Sequence, residues 1–326
     1  MLNIASYKRL IFKIDMKQIT DTILMIRPVA FRMNEQTAVN NYYQKVIDSL
    51  LPESVNAKAQ QEFDAFVEKL KAVGVNVVVV DDTADTDTPD SVFPNNWVSF
   101  HENGDVALYP MFAENRRSER REEILDLLED QGFVIDNIVD YTSAEEDDIF
   151  LEGTGSIVLD RANHKAYCAL SPRADEELLI EYCEDFEYTP VIFEAYQTVA
   201  GERKLIYHTN VMMCIGDTFA VICADCIDDK KERKMVLENL KEDGKEIILL
   251  TEAQLNNFAG NMLQVQGADN KSYLVMSDSA RQVLTKDQVA KIEKHTQILS
   301  ANLDTIEACG GGSARCMMAE VFLLKQ

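Results

Sequence analysis

A unit of about 55 residues recurs along this chain, and no other feature of the sequence limits the fold as strongly. Each copy opens on a polar residue, runs through a strand, a turn, a second strand and an amphipathic helix, and ends on a third strand, a ββαβ order. One copy starts at Asn96, with WVSFHENGDVALYP, a helix over 115–131 and the strand FVID at 133–136. The next starts at Glu152, with SIVLDRANHKAYCAL, a helix over 175–184 and TPVIFEA. A third starts at His208, with VMMCIGDTFAVIC, a helix over 230–243 and KEIILL. A fourth starts at Asn261, with MLQVQGADNKSYLVMS, a helix over 287–299 and a short strand at 303–306, and Cys316 follows. The five starting residues are 56, 56, 53 and 55 positions apart.

After Cys316 the chain has room for one strand, MMAEVFLL, while its beginning supplies the strand DTILMIRP, a helix over 57–73 and the strand VNVVVV. Pairing the last strand with the first segment completes a fifth unit and leaves no open sheet edge. The expected fold class is therefore α/β, a five-bladed pseudo-symmetric α/β propeller of ββαβ units formed by residues 18–326 as a single domain. Runs such as VMMCIG and FAVIC read as strands buried on both faces, and half-polar helices read as their outer shell. In a radial repeat, equivalent positions face one axial pocket. Asn96, Glu152, His208, Asn261 and Cys316 are expected to meet there.

Composition narrows the function classes. A formal net charge of -24 opposes binding to nucleic acid or anionic lipid. No apolar run approaches the roughly 20 residues of a membrane helix. Met1 to Lys17 lacks a signal-peptide pattern and reads as a flexible extension, with Met16 as an alternative start. Seven cysteines without short even spacing fit a reducing cytoplasm rather than a disulfide framework. Cys223 and Cys226 form a C-x-x-C pair, but no second pair completes a zinc site, so they read as strand-end thiols. Homo-oligomerisation is left open.

Three residues carry the chemistry in this reading. Cys316 follows the glycine-rich GGGSAR, which permits close ligand approach, and a polar, accessible cysteine near an imidazole has its thiol acidity raised. His208, in YHTNV, is suited to accept and return a proton. Glu152, in FLEGTG, is placed to orient that histidine or to hold a substrate N–H. His101, His164 and His295 read as surface residues, and the acidic stretch 81–90 as a solvated loop or a flap.

These motifs resemble the penteins, the guanidino-group-modifying superfamily that includes arginine deiminases, dimethylarginine hydrolases and amidinotransferases. GGGSARC, LEGTG and HTN carry the likeness over residues 22–324. VFPNNWVSFH, ALYPM and NRRSERR extend it toward the citrulline-utilisation hydrolase group. The resemblance implies a hydrolase of non-peptide C–N bonds in a small molecule, without metal or organic cofactor. Cys316 would be the nucleophile, His208 the acid and base, and Glu152 its partner. Arg173, in ALSPRAD, would bind a substrate α-carboxylate, with Arg116, Arg117 and Arg27 as alternatives.

Deiminases have aspartates where this chain has Asn96 and Asn210. An amide cannot neutralise a guanidinium, but it can donate to a ureido oxygen or accept from a ureido NH₂. The expected substrate is therefore neutral at its reacting end, with L-citrulline first, giving ornithine, ammonia and carbon dioxide. Asn96, Asn210, Asn261, Arg173 and Arg116 are the expected substrate-binding residues. The alternatives are an arginine-type deiminase, an amidinotransferase and a non-catalytic pentein scaffold.

Overall fold

The computed structural model describes residues 16–45, 47 and 51–326, so residues 1–15 of the expected extension lie outside the described residues. Met16 packs against the core, and the Lys17 N–H donates to Glu102 at 3.3 Å. From there the chain forms a mixed α/β fold of small sheets.

Strand β1 (Thr22–Arg27), helix α1 (Pro52–Ala72) and strand β2 (Asn76–Asp81) come first, with β1 and β2 parallel. The next unit is β3 (Val98–Phe100), β4 (Asp105–Leu108), α2 (Glu114–Arg117), α3 (Glu122–Asp130) and β5 (Asn137–Asp140). The turn of α4 (Gly153–Ser156) opens β6 (Ile157–Asp160), β7 (Lys165–Ala169), α5 (Glu176–Asp185) and β8 (Thr189–Phe193). A hairpin, β9 (Tyr196–Val199) and β10 (Glu202–Leu205), separates these from β11 (Met213–Ile215), β12 (Phe219–Ile222), α6 (Lys230–Glu242) and β13 (Glu246–Leu249). Helix α7 (Glu252–Leu255) leads to β14 (Leu263–Gln266), β15 (Ser272–Ser277), α8 (Asp278–Val283), α9 (Lys286–Ile292) and β16 (Gln297–Ala301). Helix α10 (Asp304–Gly310) and β17 (Ala319–Glu320) end the described chain.

In four units the first two strands pair antiparallel and the third joins the second in parallel: β3-β4-β5, β6-β7-β8, β11-β12-β13 and β14-β15-β16. The fifth three-stranded sheet uses both ends of the chain, β17 pairing antiparallel with β1 through Ile23–Glu320 and Leu24–Ala319. Among the described residues no ladder joins one three-stranded sheet to the next, so strand pairing alone does not establish the expected five-bladed ring.

A parallel return needs a crossover, and the helices supply it. Asp229 starts α6 by accepting the N–H groups of Lys231 and Glu232, and only Val236 and Leu240 of that helix are buried. Its other face is polar, as an outer layer requires. Strand β12, Phe-Ala-Val-Ile, is buried at every position. The apolar clusters mix units: one joins β1 and β2 to β3, β4 and α3, and another joins α1 to residues of β14, β15 and α10. A single unit has too little of its own apolar surface to bury its helix, so neighbours stabilise each other.

Several boundaries differ from expectation. The helix expected over 115–131 is interrupted at Ser118–Arg121, where Glu119 meets Arg116 and Arg120 meets the half-buried Glu145. Strand β5 lies at 137–140, just beyond FVID. Helix α9 stops at Ile292, because Gln297–Ala301 pairs in parallel with β15, and residues 304–306 open a helix rather than a strand. Of MMAEVFLL only Ala319–Glu320 is a strand. His101 is not a surface residue: it is 5% exposed, stacks on Phe186 at 4.2 Å, and has its pKa pushed down by burial. His164 and His295 are half-buried. No helix among the described residues is long and apolar enough to cross a membrane.

Candidate active site

The polar residues that open the units come together where the chain enters the first strand of each. Pro94–Asn96, Gly153–Ser156 and Thr209–Val211 each form one short helical turn before a buried strand, which sets the preceding or included polar side chain at the strand's head. A narrow cleft lies among them, lined by Asp90, Asn96, Arg173, Tyr207, His208 and Cys316.

Glu152 and His208 form the centre of one side. The His208 Nε2–H donates to Glu152 Oε2 at 2.7 Å, both residues being at most 2% exposed. The same oxygen lies 3.4 Å from Arg173 and 3.9 Å from Arg116, while Oε1 accepts the Phe112 N–H at 3.0 Å. Burial opposes ionisation of Glu152, but the Arg173 charge and the His208 hydrogen bond outweigh it and hold the carboxyl well below its usual range. Burial is also the largest influence on His208 and, against the pull of Glu152, lowers its pKa to about 4. The ring is therefore neutral near pH 7, with Nε2 committed to Glu152 and Nδ1 left as the basic nitrogen.

Cys316 stands opposite on a turn closed by its N–H to the Ser313 carbonyl at 3.0 Å. Its Sγ receives the side-chain amides of Asn261 at 3.2 Å and Asn210 at 3.6 Å. The thiol is 3% exposed, and burial pushes its pKa up in spite of those donors. The accessible, acidified thiol expected from the sequence is thus replaced by a buried neutral one. The glycine loop before it is held from outside: Tyr207 Oη–H donates to the Gly311 carbonyl at 2.6 Å, and the Asn41 amide reaches the Gly310 and Gly311 carbonyls. Gly311 has φ of +63°, and a Cβ there would lie 2.6 Å from the Asn41 amide.

Asn96 and Asn210 are buried, at 2% and 1% exposure. Asn210 Nδ2 also donates to the Thr154 carbonyl at 3.3 Å, and Asn261 accepts the Arg315 N–H at 3.1 Å. Arg173 spends its donors on Asn40, the Thr37 carbonyl and Glu152, with its guanidinium 5.0 Å from the centre of the Tyr207 ring. Arg116 holds Asn96 at 3.0 Å and is clamped by Glu119, so its guanidinium is directed to protein partners. Of the alternative arginines, Arg27 is half-buried and paired with Asp64, and Arg117 donates to the Met111 carbonyl.

Nothing in the repeat marks Asp90, Asn95 or the loop 34–45, and sequence reasoning misses all three. Asp90 ends an acidic stretch that reads as solvated or flap-like, yet it is 2% exposed and lines the cleft. One of its oxygens receives Asn34 at 2.8 Å and Thr37 at 3.1 Å, and the other has no partner. Turned to satisfy its neighbours, the Asn95 amide donates to the Cys316 carbonyl at 2.6 Å and accepts the Gly155 N–H at 3.3 Å. The loop 34–45 has no period to announce it, although its contacts reach Asp90, Arg173 and the glycine loop. Cys223 and Cys226 sit beyond the end of β12, away from the cleft, and among the described residues no group of three or more His, Cys, Asp or Glu side chains is placed to hold a metal.

Residues 27–323 match the family model described as N,N dimethylarginine dimethylhydrolase, eukaryotic. Solved structures share the fold. ArgZ, an arginine dihydrolase from the ornithine-ammonia cycle in cyanobacteria, superposes with a TM-score of 0.70 at 16% identity, covering 92% of this chain. The chain spans 40% of the length of that protein. The N-terminal domain of an ArgZ variant covalently bound to a reaction intermediate gives 0.68 at 17% identity, covering 92% of this chain and 97% of the domain. A dimethylarginine dimethylaminohydrolase adduct with S-methyl-L-thiocitrulline gives 0.61 at 13% identity, covering 93% and 99%. No curated protein sequence matches the chain. With the family model spanning most of its length and its fold shared with these structures, the chain belongs to the dimethylarginine dimethylhydrolase family of the pentein superfamily of guanidino-modifying enzymes.

Proposed function

We propose that residues 18–326 act as one catalytic unit, five ββαβ units set around the cleft, that hydrolyses a C–N bond of a small ureido amino acid, L-citrulline first. The radial arrangement is supported by proximity of first strands, β17 to β3, β6 to β11 and β11 to β14. The observation that carries the substrate class is that the side-chain partners of the Cys316 sulfur are amides, Asn210 and Asn261, rather than carboxylates. A neutral ureido carbon can be desolvated there, whereas a buried guanidinium would find no counter-charge among the side chains that touch the sulfur.

The chemistry follows from the resting protonation states. His208 Nδ1, basic and neutral, takes the Cys316 proton as sulfur attacks the ureido carbon, and Glu152 stabilises the imidazolium. Asn210 and Asn261 donate to the developing thiolate. The C–N bond to the ornithine side chain breaks as His208 returns its proton to the leaving amine. Water, deprotonated by His208, then attacks the carbamoyl thioester. Sulfur leaves and regains its proton, and carbamic acid falls to ammonia and carbon dioxide. The free oxygen of Asp90 suits the substrate α-ammonium, and Arg173 its carboxylate once Asn40 and Thr37 yield.

A second reading, hydrolysis of arginine or a methylated arginine, is favoured by Asp90, a carboxylate in the cleft with an unused oxygen. Acid-quenched turnover mixtures analysed by intact-protein mass spectrometry separate the two. Citrulline should leave one carbamoyl group on Cys316, absent from Cys316→Ser. An adduct formed from arginine and none from citrulline would overturn the ureido reading.

A further inference from the structure

We infer that Glu119 and Arg116 are positioning residues that lock the Asn96 side chain with its NH₂ turned to the cleft, so that Asn96 is a donor-only contact selecting a ureido oxygen. The inference rests on the ureido reading above and assigns a determinant of substrate choice within that site.

A guanidinium has only donors, so whatever Arg116 contacts must present an acceptor. Its NH1 group lies 3.0 Å from Asn96 Oδ1, which fixes that atom as the amide oxygen. Arg116 cannot swing away, because Nε and NH2 each meet a Glu119 carboxylate oxygen at 2.9 Å and NH2 also meets the Phe93 carbonyl at 3.1 Å. Arg116 and Glu119 are 2% and 3% exposed, so water does not compete for the clamp.

The other end of the amide has nothing to do in the protein. Asn96 Nδ2 is buried and has no hydrogen-bond partner, although Asn96 lines the cleft with Cys316 and His208. It sits above Gly155, where a Cβ would come within 2.2 Å of Nδ2 and 2.8 Å of His208 Nδ1. The idle donor and the basic nitrogen of His208 thus border the same spot. Turning the amide over would set its NH₂ against the Arg116 donors, so the clamp forbids the acceptor orientation. A ureido group offers one oxygen to such a donor. A guanidinium offers only N–H groups and meets donor with donor.

L-Thiocitrulline, in which sulfur replaces the ureido oxygen, keeps shape and charge but accepts hydrogen bonds poorly. The experiment compares kcat/KM for L-citrulline and L-thiocitrulline in the wild type, Arg116→Met, Glu119→Gln and Arg116→Lys, with folding checked by circular dichroism. The wild type should prefer citrulline at least tenfold. Arg116→Met and Glu119→Gln should cut that preference at least fivefold, and Arg116→Lys, which keeps a donor against Asn96 Oδ1, should restore part of it. A purely structural role would lower both substrates in proportion and leave the ratio unchanged, which overturns the inference. Equal use of the two substrates by the wild type overturns it without recourse to any variant. Absence of citrulline turnover in the wild type, with arginine consumed instead, refutes the ureido reading itself.

Discussion

Replacing Glu152 by Gln removes one charge from the buried carboxylate behind His208 and nothing else of size. In the native site Oε2 accepts from His208 at 2.7 Å and faces Arg173, while Oε1 accepts from the Phe112 N–H. A glutamine amide has one acceptor where two are needed, so either His208 or Phe112 meets an NH₂ group. The imidazolium formed when His208 takes the Cys316 proton then loses its counter-charge, and the ring loses the bond that commits its Nε2. Removal of a carboxylate in this position costs roughly 10²–10⁴-fold in kcat, or about 3–5 kcal/mol of barrier. Stability should fall as well, because Arg173 is left partly uncompensated. It keeps Asn40 and the Thr37 carbonyl, so the loss belongs at the lower end for a broken buried pair, about 3 kcal/mol, lowering Tm by roughly 4–5 °C. The assay is ornithine release from citrulline at a temperature well below the variant's Tm. A folded Glu152→Gln protein whose kcat stays within threefold of wild type would refute the pairing argument.

Other outcomes follow from the same geometry. Since the resting pair is neutral thiol and neutral imidazole, kcat/KM should be flat across neutral pH and fall only toward pH 4 as His208 protonates; a pH profile with an acid limb near 6.5 would contradict this. His208 also links stability to pH. Its folded pKa lies below its ordinary 6.5, so the unfolded chain binds more protons at this residue between that value and about 4 and its contribution to stability falls with pH through that window, against an opposite contribution from Glu119, which burial raises to about 7. The depressed Glu152 carboxyl adds to the loss at lower pH, which a pH series of thermal melts would register. Gly155→Ala forces a methyl group against Asn96 and His208 and should lower kcat at least 100-fold in a folded protein, as ornithine release would show. Asp90→Asn should raise KM for citrulline roughly tenfold yet leave turnover of an N-carbamoyl alkylamine unchanged, because only the first carries an α-ammonium.

Much of the fold and site is legible in the sequence because a repeat writes the same instruction several times. The near-constant step by itself singles out Asn96, Glu152, His208, Asn261 and Cys316, and hydrogen bonds join Glu152 to His208 and Asn261 to Cys316 in the folded chain. What the period cannot mark lies between the units. The β9–β10 hairpin and α10 occupy connections that differ from unit to unit, and loop 34–45 has no alternation of polar and apolar residues. Asp90 reads as one more charge in DDTADTDTPD, since its burial depends on Asn34 and Thr37 arriving from elsewhere in the chain. An imidazole nearby suggests an acidified Cys316, but desolvation, which is a property of the assembled site, outweighs the amides that face it. His101 has the sequence context of a turn residue, and it is Phe186 and Ser99 that enclose it. The partners of Arg116 are hidden for a related reason: Glu119, one turn along, is visible in the sequence, but the inward turn that joins the two is not.

Product identification tests the central claim most directly. Purified protein, incubated separately with L-citrulline and L-arginine without added metal, is assayed for ammonia while its products are identified by mass spectrometry. Ornithine from citrulline, lost in Cys316→Ala, is the predicted result. Citrulline formed from arginine, with citrulline itself left intact, would contradict it and return the cleft to guanidinium chemistry.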